Sequence, residues 1–289
     1  MKRITYILFL VLLLFSACSK KNKKIKLSGQ IKDISGYNIL TINDGVNTDT
    51  ITLNKDGAFK SVLQYATGYY FLQYANKSIP VFLQQGEKVT VTADANNIEN
   101  SLQVASKETT EINNYLVKKY NHNRKTLDAL GSYQSLFLYS EKCFLATMDS
   151  LKNRNLKLLK TFNLSNDFVV AERKNIRYNY LSVLAEYPEK YRRWKYRTDY
   201  EPTAMFQKRF QNLTFNNEED YKMFPAYKML VFNKFQQKYF KDLPNSKQVV
   251  KAIQQSKIEP FPNDFANMLY LKMKHKSPET IGMEKILLA

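Results

Sequence analysis

The sequence predicts an α+β fold, with an N-terminal antiparallel β-sandwich-like module over residues 27–104 and an all-helical domain over residues 108–276. Three observations carry this. Six of the eight glycines lie within residues 29–86, where they separate short runs as turn residues do. Within those runs polar and apolar residues alternate, as half-buried strands require. Near residue 108 the apolar spacing lengthens to that of a helix face. With 44% apolar and 24% charged residues, the 289-residue chain has the material for a packed core of one or two domains.

The first residues carry a targeting pattern. Met1-Lys2-Arg3 is a positive n-region, and residues 4–15 form an apolar run. That run is too short to cross ~30 Å of hydrocarbon as a helix, so residues 1–17 are expected to be a signal peptide. Leu14-Phe15-Ser16-Ala17-Cys18 resembles a bacterial lipobox, with Phe15 where leucine is usual. The resemblance implies that the Cys18 thiol takes a diacylglycerol and becomes the first mature residue. Residues 18–26 then form a basic tether with Lys20, Lys21, Lys23, Lys24 and Lys26. Such lysines either add attraction to anionic lipid or keep a flexible leash in water. Surface-export signals of such lipoproteins tend to be acidic after the cysteine. A basic tether therefore points to the periplasmic face of the cell envelope.

Strands follow in order. Leu27-Ser28-Gly29-Gln30-Ile31 opens the module, and Thr50-Ile51-Thr52-Leu53 alternates cleanly. Asn54-Lys55-Asp56-Gly57 supplies the Asp-Gly step of a tight hairpin leading into residues 58–63. Residues 69–74 form another strand, and residues 81–83 and 88–92 flank a turn at Gln85-Gly86 as a second hairpin.

The helical part begins with a face of Ile112, Tyr115, Leu116, Lys119 and Tyr120. A long helix is predicted over residues 133–162, with Leu136, Phe137, Phe144, Met148, Leu151, Leu158 and Leu159 inward. Ser165 has the place of an N-cap and Asp167 that of a first-turn acid. The stripe of Phe168, Val169, Ile176, Tyr180, Val183, Leu184 and Tyr187 continues until Pro188, which is expected to end the helix. Glu218-Glu219-Asp220 opens a helical stretch, Pro225 suits the first turn of the next, and shorter helices follow from Ser246 and Asn263. Residues 277–289 form a tail.

The strand skeleton resembles a β-rich module of Gram-negative envelope lipoproteins. It consists of Gly29-x-Ile31, Asp56-Gly57-x-Phe59, Tyr70-x-Leu72 and residues 79–91, from Ile79-Pro80-Val81 to Val89-Thr90-Val91. The helical stretch is similar to the segment joining that module to a thioredoxin-like thiol–disulfide oxidoreductase domain. It carries Ser165-x-x-Phe168-x-x-x-Glu172-x-x-x-Ile176-x-Tyr178, Tyr187-Pro188 and Phe215-Asn216-Asn217-Glu218-Glu219. The redox domain needs C-x-x-C, and the two cysteines, Cys18 and Cys143, form no such pair. The resemblance therefore implies the non-catalytic front part alone.

Composition excludes several chemistries. There is no G-x-G or G-x-x-x-x-G-K-[ST] spacing, and two cysteines and two histidines make neither a disulfide framework nor a His/Cys zinc cage. Cys143 as a nucleophile would need His122 or His275 as base. It adjoins Phe144, one step off the apolar face, and is expected to be a packed thiol. His122 and His275 lack metal-ligand neighbours and are expected at the surface. Glu218-Glu219-Asp220 is explained by capping.

The sharpest exposed pattern is Tyr191-Arg192-Arg193-Trp194-Lys195-Tyr196-Arg197, four basic residues among three aromatics. Arg192, Arg193, Trp194, Lys195 and Arg197 are the candidate contact for an anionic lipid, a glycan or an acidic envelope protein. The bland alternative is a loop whose aromatics fold back on the helices while the charges stay wet. Basic-aromatic interleaving also suits single-stranded nucleic acid, but a signal-bearing chain is not expected to meet it.

The function expected from sequence is that of a non-catalytic, membrane-anchored envelope lipoprotein that binds a protein or ligand. It would need no cofactor and no metal. The alternative is an accessory docking module for a separate thioredoxin-like oxidoreductase.

Overall fold

The computed structural model describes residues 24–239 and 246–274. The signal peptide, Cys18, most of the tether, His275 and the tail lie outside the described residues. An α+β architecture is present, with two four-stranded sheets ahead of a helical region.

The strands are β1 (Ile25–Lys32), β2 (Ile39–Asn43), β3 (Thr48–Thr52), β4 (Ala58–Leu63), β5 (Gly68–Tyr74), β6 (Lys77–Leu83), β7 (Lys88–Asp94) and β8 (Gln103–Ala105). The first sheet has the order β4-β1-β7-β8 and the second β3-β2-β5-β6. Inward residues such as Leu27, Ile42, Leu72, Val81, Val89 and Val91 form the core of the sandwich. The alternation read from sequence is thus the alternation of burial.

Both expected hairpins are corrected. The turn at Asn54–Gly57 forms, but it carries the chain from β3 in one sheet to β4 in the other. The turn at Gln85-Gly86 likewise connects β6 to β7 across the sandwich. Burial explains the crossing, because both faces of the sandwich core must be filled from strands of opposite sheets. One ladder also departs from antiparallel pairing: β1 runs parallel to β7, with Gly29 opposite Val91. A Cβ at Gly29 would lie 1.7 Å from the Val91 carbonyl oxygen, so only glycine fits. Gly57 has φ +75 and would meet the Ile31 carbonyl oxygen at 1.8 Å, which requires glycine twice over.

The helices are α1 (Ile98–Ser101), α2 (Thr110–Ala129), α3 (Tyr133–Leu136), α4 (Glu141–Leu159), α5 (Asn166–Lys195), α6 (Ala204–Lys208), α7 (Glu218–Met223), α8 (Pro225–Tyr239), α9 (Ser246–Gln254) and α10 (Phe261–Lys274). Glu87 fixes the start of α2 by accepting from Ser106 Oγ at 3.0 Å, the Glu108 N–H at 2.8 Å and Thr109 Oγ1 at 2.9 Å. Asn113 of α2 then pairs with edge strand β6. Its Oδ1 accepts from the Phe82 N–H at 2.7 Å, and its Nδ2 donates to the Phe82 carbonyl at 3.0 Å. An otherwise open sheet edge is covered there by a helix.

Two helix expectations are corrected. The predicted helix over 133–162 breaks after Leu136, because Ser140 caps a new helix by accepting from the Cys143 N–H. Its inward residues are nonetheless buried, except half-buried Leu158. The helix from Asn166 runs through Pro188 to Lys195. A mid-helix proline costs about 3 kcal/mol. Packing offsets it: the fully buried Tyr187 ring stacks on Phe144 at 4.0 Å, and its hydroxyl donates to the Tyr139 carbonyl at 2.8 Å. Ser165, Asp167 and Pro225 take the capping, first-turn and first-position roles read from sequence.

The two halves share a core. Tyr69 and Phe82, on the outer face of the second sheet, pack among the helices, with Phe82 5.4 Å from Phe168 and Tyr69 5.5 Å from Phe224. A polar latch closes the same seam. Lys228 of α8 reaches Asp44, in the loop after β2, at 2.6 Å and Asp264 of α10 at 3.4 Å. Asn47 donates to Asp264 at 2.8 Å.

Candidate functional site

Where the sandwich leans on the helices, a cleft of about 520 Å³ remains open. This lies within the ~300–1,000 Å³ range of small-molecule sites. Its floor is the outer face of β5 and β6, where Phe71 and Pro80 are cross-strand partners. Its walls are α2, through Lys119, Asn123 and Arg124; α4, through Lys152 and Asn155; and α5, through Asn175, Asn179 and Tyr180. Tyr133 of α3 closes one end.

At the base sits a buried polar network. Glu172 has no exposed surface, and it accepts from Tyr115 Oη at 2.9 Å, Lys119 Nζ at 2.5 Å and Asn175 Nδ2 at 2.9 Å. The helical spacing of 172 and 175 on α5 and of 115 and 119 on α2 puts these groups on facing surfaces. Four polar side-chain atoms of residues around the cleft are shut off from solvent: Tyr69 Oη, Tyr180 Oη, Asn123 Oδ1 and Arg124 Nε. Glu172 and Asp149 lie near enough to Tyr69 and Tyr180 to oppose loss of their protons. Each carboxylate is the nearby acceptor for its tyrosine's hydroxyl. Burial first, and those carboxylates second, push both phenols well above their ordinary pKa. Both tyrosines are therefore neutral hydroxyls at any physiological pH.

The charges in the wall are balanced by the chain itself. Lys119 is held by Glu172, Lys152 by Asp149 at 3.1 Å, and Arg124 by Glu99 at 3.0 Å. Tyr120 also donates to Glu99, and burial followed by that carboxylate pushes its pKa up to about 12. The arrangement offers neutral donors and acceptors above an apolar floor. It does not offer a free charge cluster. Among the described residues no group of three or more His, Cys, Asp or Glu side chains is placed to hold a metal ion.

The residues singled out in the sequence lie elsewhere. Arg192, Arg193, Trp194 and Lys195 form the last turns of α5, with Arg197 just beyond, so the segment is largely helix. None of them lines the cleft. Arg192 pairs with Glu201 at 3.3 Å, Arg193 with Glu189, and Arg197 with Asp199 at 2.9 Å. Trp194 folds back on Phe137, ring centroids 5.7 Å apart. Asp220 of the acidic triplet is buried as well as first-turn. It accepts from Tyr178 Oη at 2.6 Å and Lys174 Nζ at 2.9 Å.

Cys143 is corrected: its side chain is exposed, not packed. It precedes the fully buried Phe144, and a step of one residue turns the next side chain off the core face. Cys143 is expected to react with a soluble thiol reagent under native conditions. A thiol that reacts only after denaturant is added would contradict its placement. His122 is exposed as expected.

Sequence reasoning missed the cleft. Its one available signal was Lys119, a lysine on an otherwise apolar helix face that demanded a buried anion. No family model, no curated protein and no solved structure matches the chain.

Proposed function

We propose that the protein is an envelope lipoprotein, held to the membrane through Cys18, that acts as a non-catalytic ligand-binding module through the cleft between its halves. One observation carries the binding part: a cleft of about 520 Å³ between the sheet and the helices, with an apolar floor of Phe71 and Pro80 and walls that carry Asn123, Asn155 and Asn179. The shared aromatic core and the Lys228 latch hold the walls in place, so little ordering is needed on binding. The lipobox-like run before Cys18 supports the anchoring part. No described helix is long and apolar enough to cross a membrane, so attachment would rest on the acyl chains with help from the lysine tether.

Two experiments test this reading. The Cys18→Ala variant is expected in the soluble fraction, and its retention on membranes after a high-salt wash would defeat the anchor. Thermal unfolding against a panel of neutral sugars, acidic sugars, short peptides and nucleosides tests the cleft. At least one class should raise Tm for the full chain, by the few degrees that roughly 2–3 kcal/mol of ligand stabilisation gives. Asn155→Trp, which fills the cavity from a half-buried wall position, should abolish the rise. No response from any class would overturn the reading.

A further inference from the structure

We propose that a second groove, within the helical region, binds a long-chain fatty acid with its carboxylate at Lys234, Lys238 and Lys257. This groove shares no lining residue with the cleft between the halves.

Two compartments make up the groove. The larger, of about 510 Å³, lies between α5, α6 and α8 and is lined by Ala185, Pro188, Phe206, Phe210 and Leu230. The smaller, of about 240 Å³, lies between α8 and the segment from α9 into α10, with Val231, Ile258 and Phe261 in its walls. Leu230 and Val231 serve different compartments because one residue turns a helix by about 100°. Phe215 and Lys234 line both compartments, so the two meet there.

Charge decides which end of a ligand goes where. Neither compartment has an aspartate or glutamate in its lining. Lys234, Lys238 and Lys257 are exposed and all line the smaller one. Among the described residues no carboxylate pairs with any of the three. Lys234 and Lys238 stand one turn apart on α8, and Lys234 Nζ lies 5.8 Å from the centre of the Phe215 ring at the junction. In the cleft, by contrast, Lys119, Lys152 and Arg124 are each held by a carboxylate of the chain. An anionic head therefore suits the groove, and its tail then faces the larger compartment.

The walls select the tail. They are built by helices and offer no strand edge, so an extended peptide would bury amides without partners. One turn of an α-helix, ~5.4 Å long and ~10–12 Å across, already takes up ~500 Å³, so a helical partner would fill the larger compartment with a single turn. An acyl chain has no hydrogen-bonding group to satisfy, and every methylene it buries is favourable. Compartments that meet at one point hold one chain end to end. That suits a fatty acid better than a lipid with two tails side by side.

The test is photocrosslinking of the full chain, in nanodiscs of zwitterionic phosphatidylcholine, with hexadecanoate carrying a mid-chain diazirine. Label is expected in peptides covering 185–188, 202–215 and 230–239. Unlabelled hexadecanoate should compete it away, while hexadecanol (the tail without the charge) and acetate (the charge without the tail) should not. Replacing Lys234, Lys238 and Lys257 together by glutamine should cut the labelling about tenfold. All three are exposed, so thermal unfolding should not change. Phe215→Ala, at a half-buried position shared by both compartments, should cut it similarly. Asn155→Trp should leave it unchanged, which keeps this result separate from that of the cleft. Labelling that hexadecanol displaces equally well, or that survives the triple lysine variant, would mean that apolarity alone governs the groove and would overturn the inference. Displacement by lysophosphatidylglycerol and not by hexadecanoate would assign the groove to a lipid headgroup and overturn it too, as would label confined to residues 69–80 and 119–127 or absent from the chain.

Discussion

Replacing Glu172 by alanine is expected to destabilise the fold by about 3–5 kcal/mol, the cost of breaking a buried ion pair from one side. Glu172 is fully enclosed and Lys119 is 7% exposed. The substitution leaves the Lys119 charge buried without its counter-ion and strips Tyr115 and Asn175 of their acceptor. Glu172→Gln keeps the shape but not the charge, and should recover only part of the loss. The paired replacement Lys119→Met with Glu172→Leu removes the charge problem altogether, so it should be far more stable than Glu172→Ala. Urea unfolding of the four proteins measures this. A loss below about 1 kcal/mol for Glu172→Ala, the scale of exposed pairs, would show that the pair is solvated.

Lys228→Met is expected to have a comparable effect, about 3 kcal/mol or more, because it leaves two carboxylates facing each other across the seam. Asp44 and Asp264 both depend on Lys228, which is 5% exposed. Burial opposes ionisation of Asp44. The Lys228 charge and the hydrogen bonds from Lys228, Asn47 and Val46 outweigh it and hold the carboxyl below the usual aspartate range. A folded-state pKa below the unfolded one stabilises fully above the unfolded value and fades as pH falls through the folded value. The latch therefore works at neutral pH and loosens below about pH 4. Without Lys228 the Asp44 carboxyl protonates more readily. The stability gap between wild type and Lys228→Met should then be wide at pH 7 and narrow as the solution is acidified. A gap independent of pH would mean that the latch is not electrostatic.

Much of the architecture was legible because burial writes itself into periodicity. Ile51, Leu72, Val89 and Val91 alternate in sequence and point into the sandwich in the fold. Strand pairing was not legible. The Asp56-Gly57 turn has the same local chemistry whether it closes a hairpin or passes between sheets, and that choice belongs to the whole core. Strands β2 and β8 went unread. Ile39-Leu40-Thr41-Ile42-Asn43 was passed over although Asp44-Gly45 follows it and closes the hairpin to β3, because the strand is short and buries only Leu40 and Ile42. Pro188 misled because local propensity was outweighed by the packing of Tyr187. The basic-aromatic run drew attention as a linear pattern, yet its arginines spend their charge on neighbours along the chain, Glu189, Asp199 and Glu201. The cleft joins residues 69–80 with residues 119–124, 152–155 and 175–183, and no window of sequence holds that set.

Hydrogen–deuterium exchange of the full chain, with and without the panel compound that raises Tm most, tests the central claim most directly. Protection is expected together in peptides covering 69–80, 119–127, 152–155 and 175–183, with residues 191–197 unchanged. Protection confined to 191–197, or none on β5, β6, α2 and α5, would contradict a ligand held between the sheet and the helices.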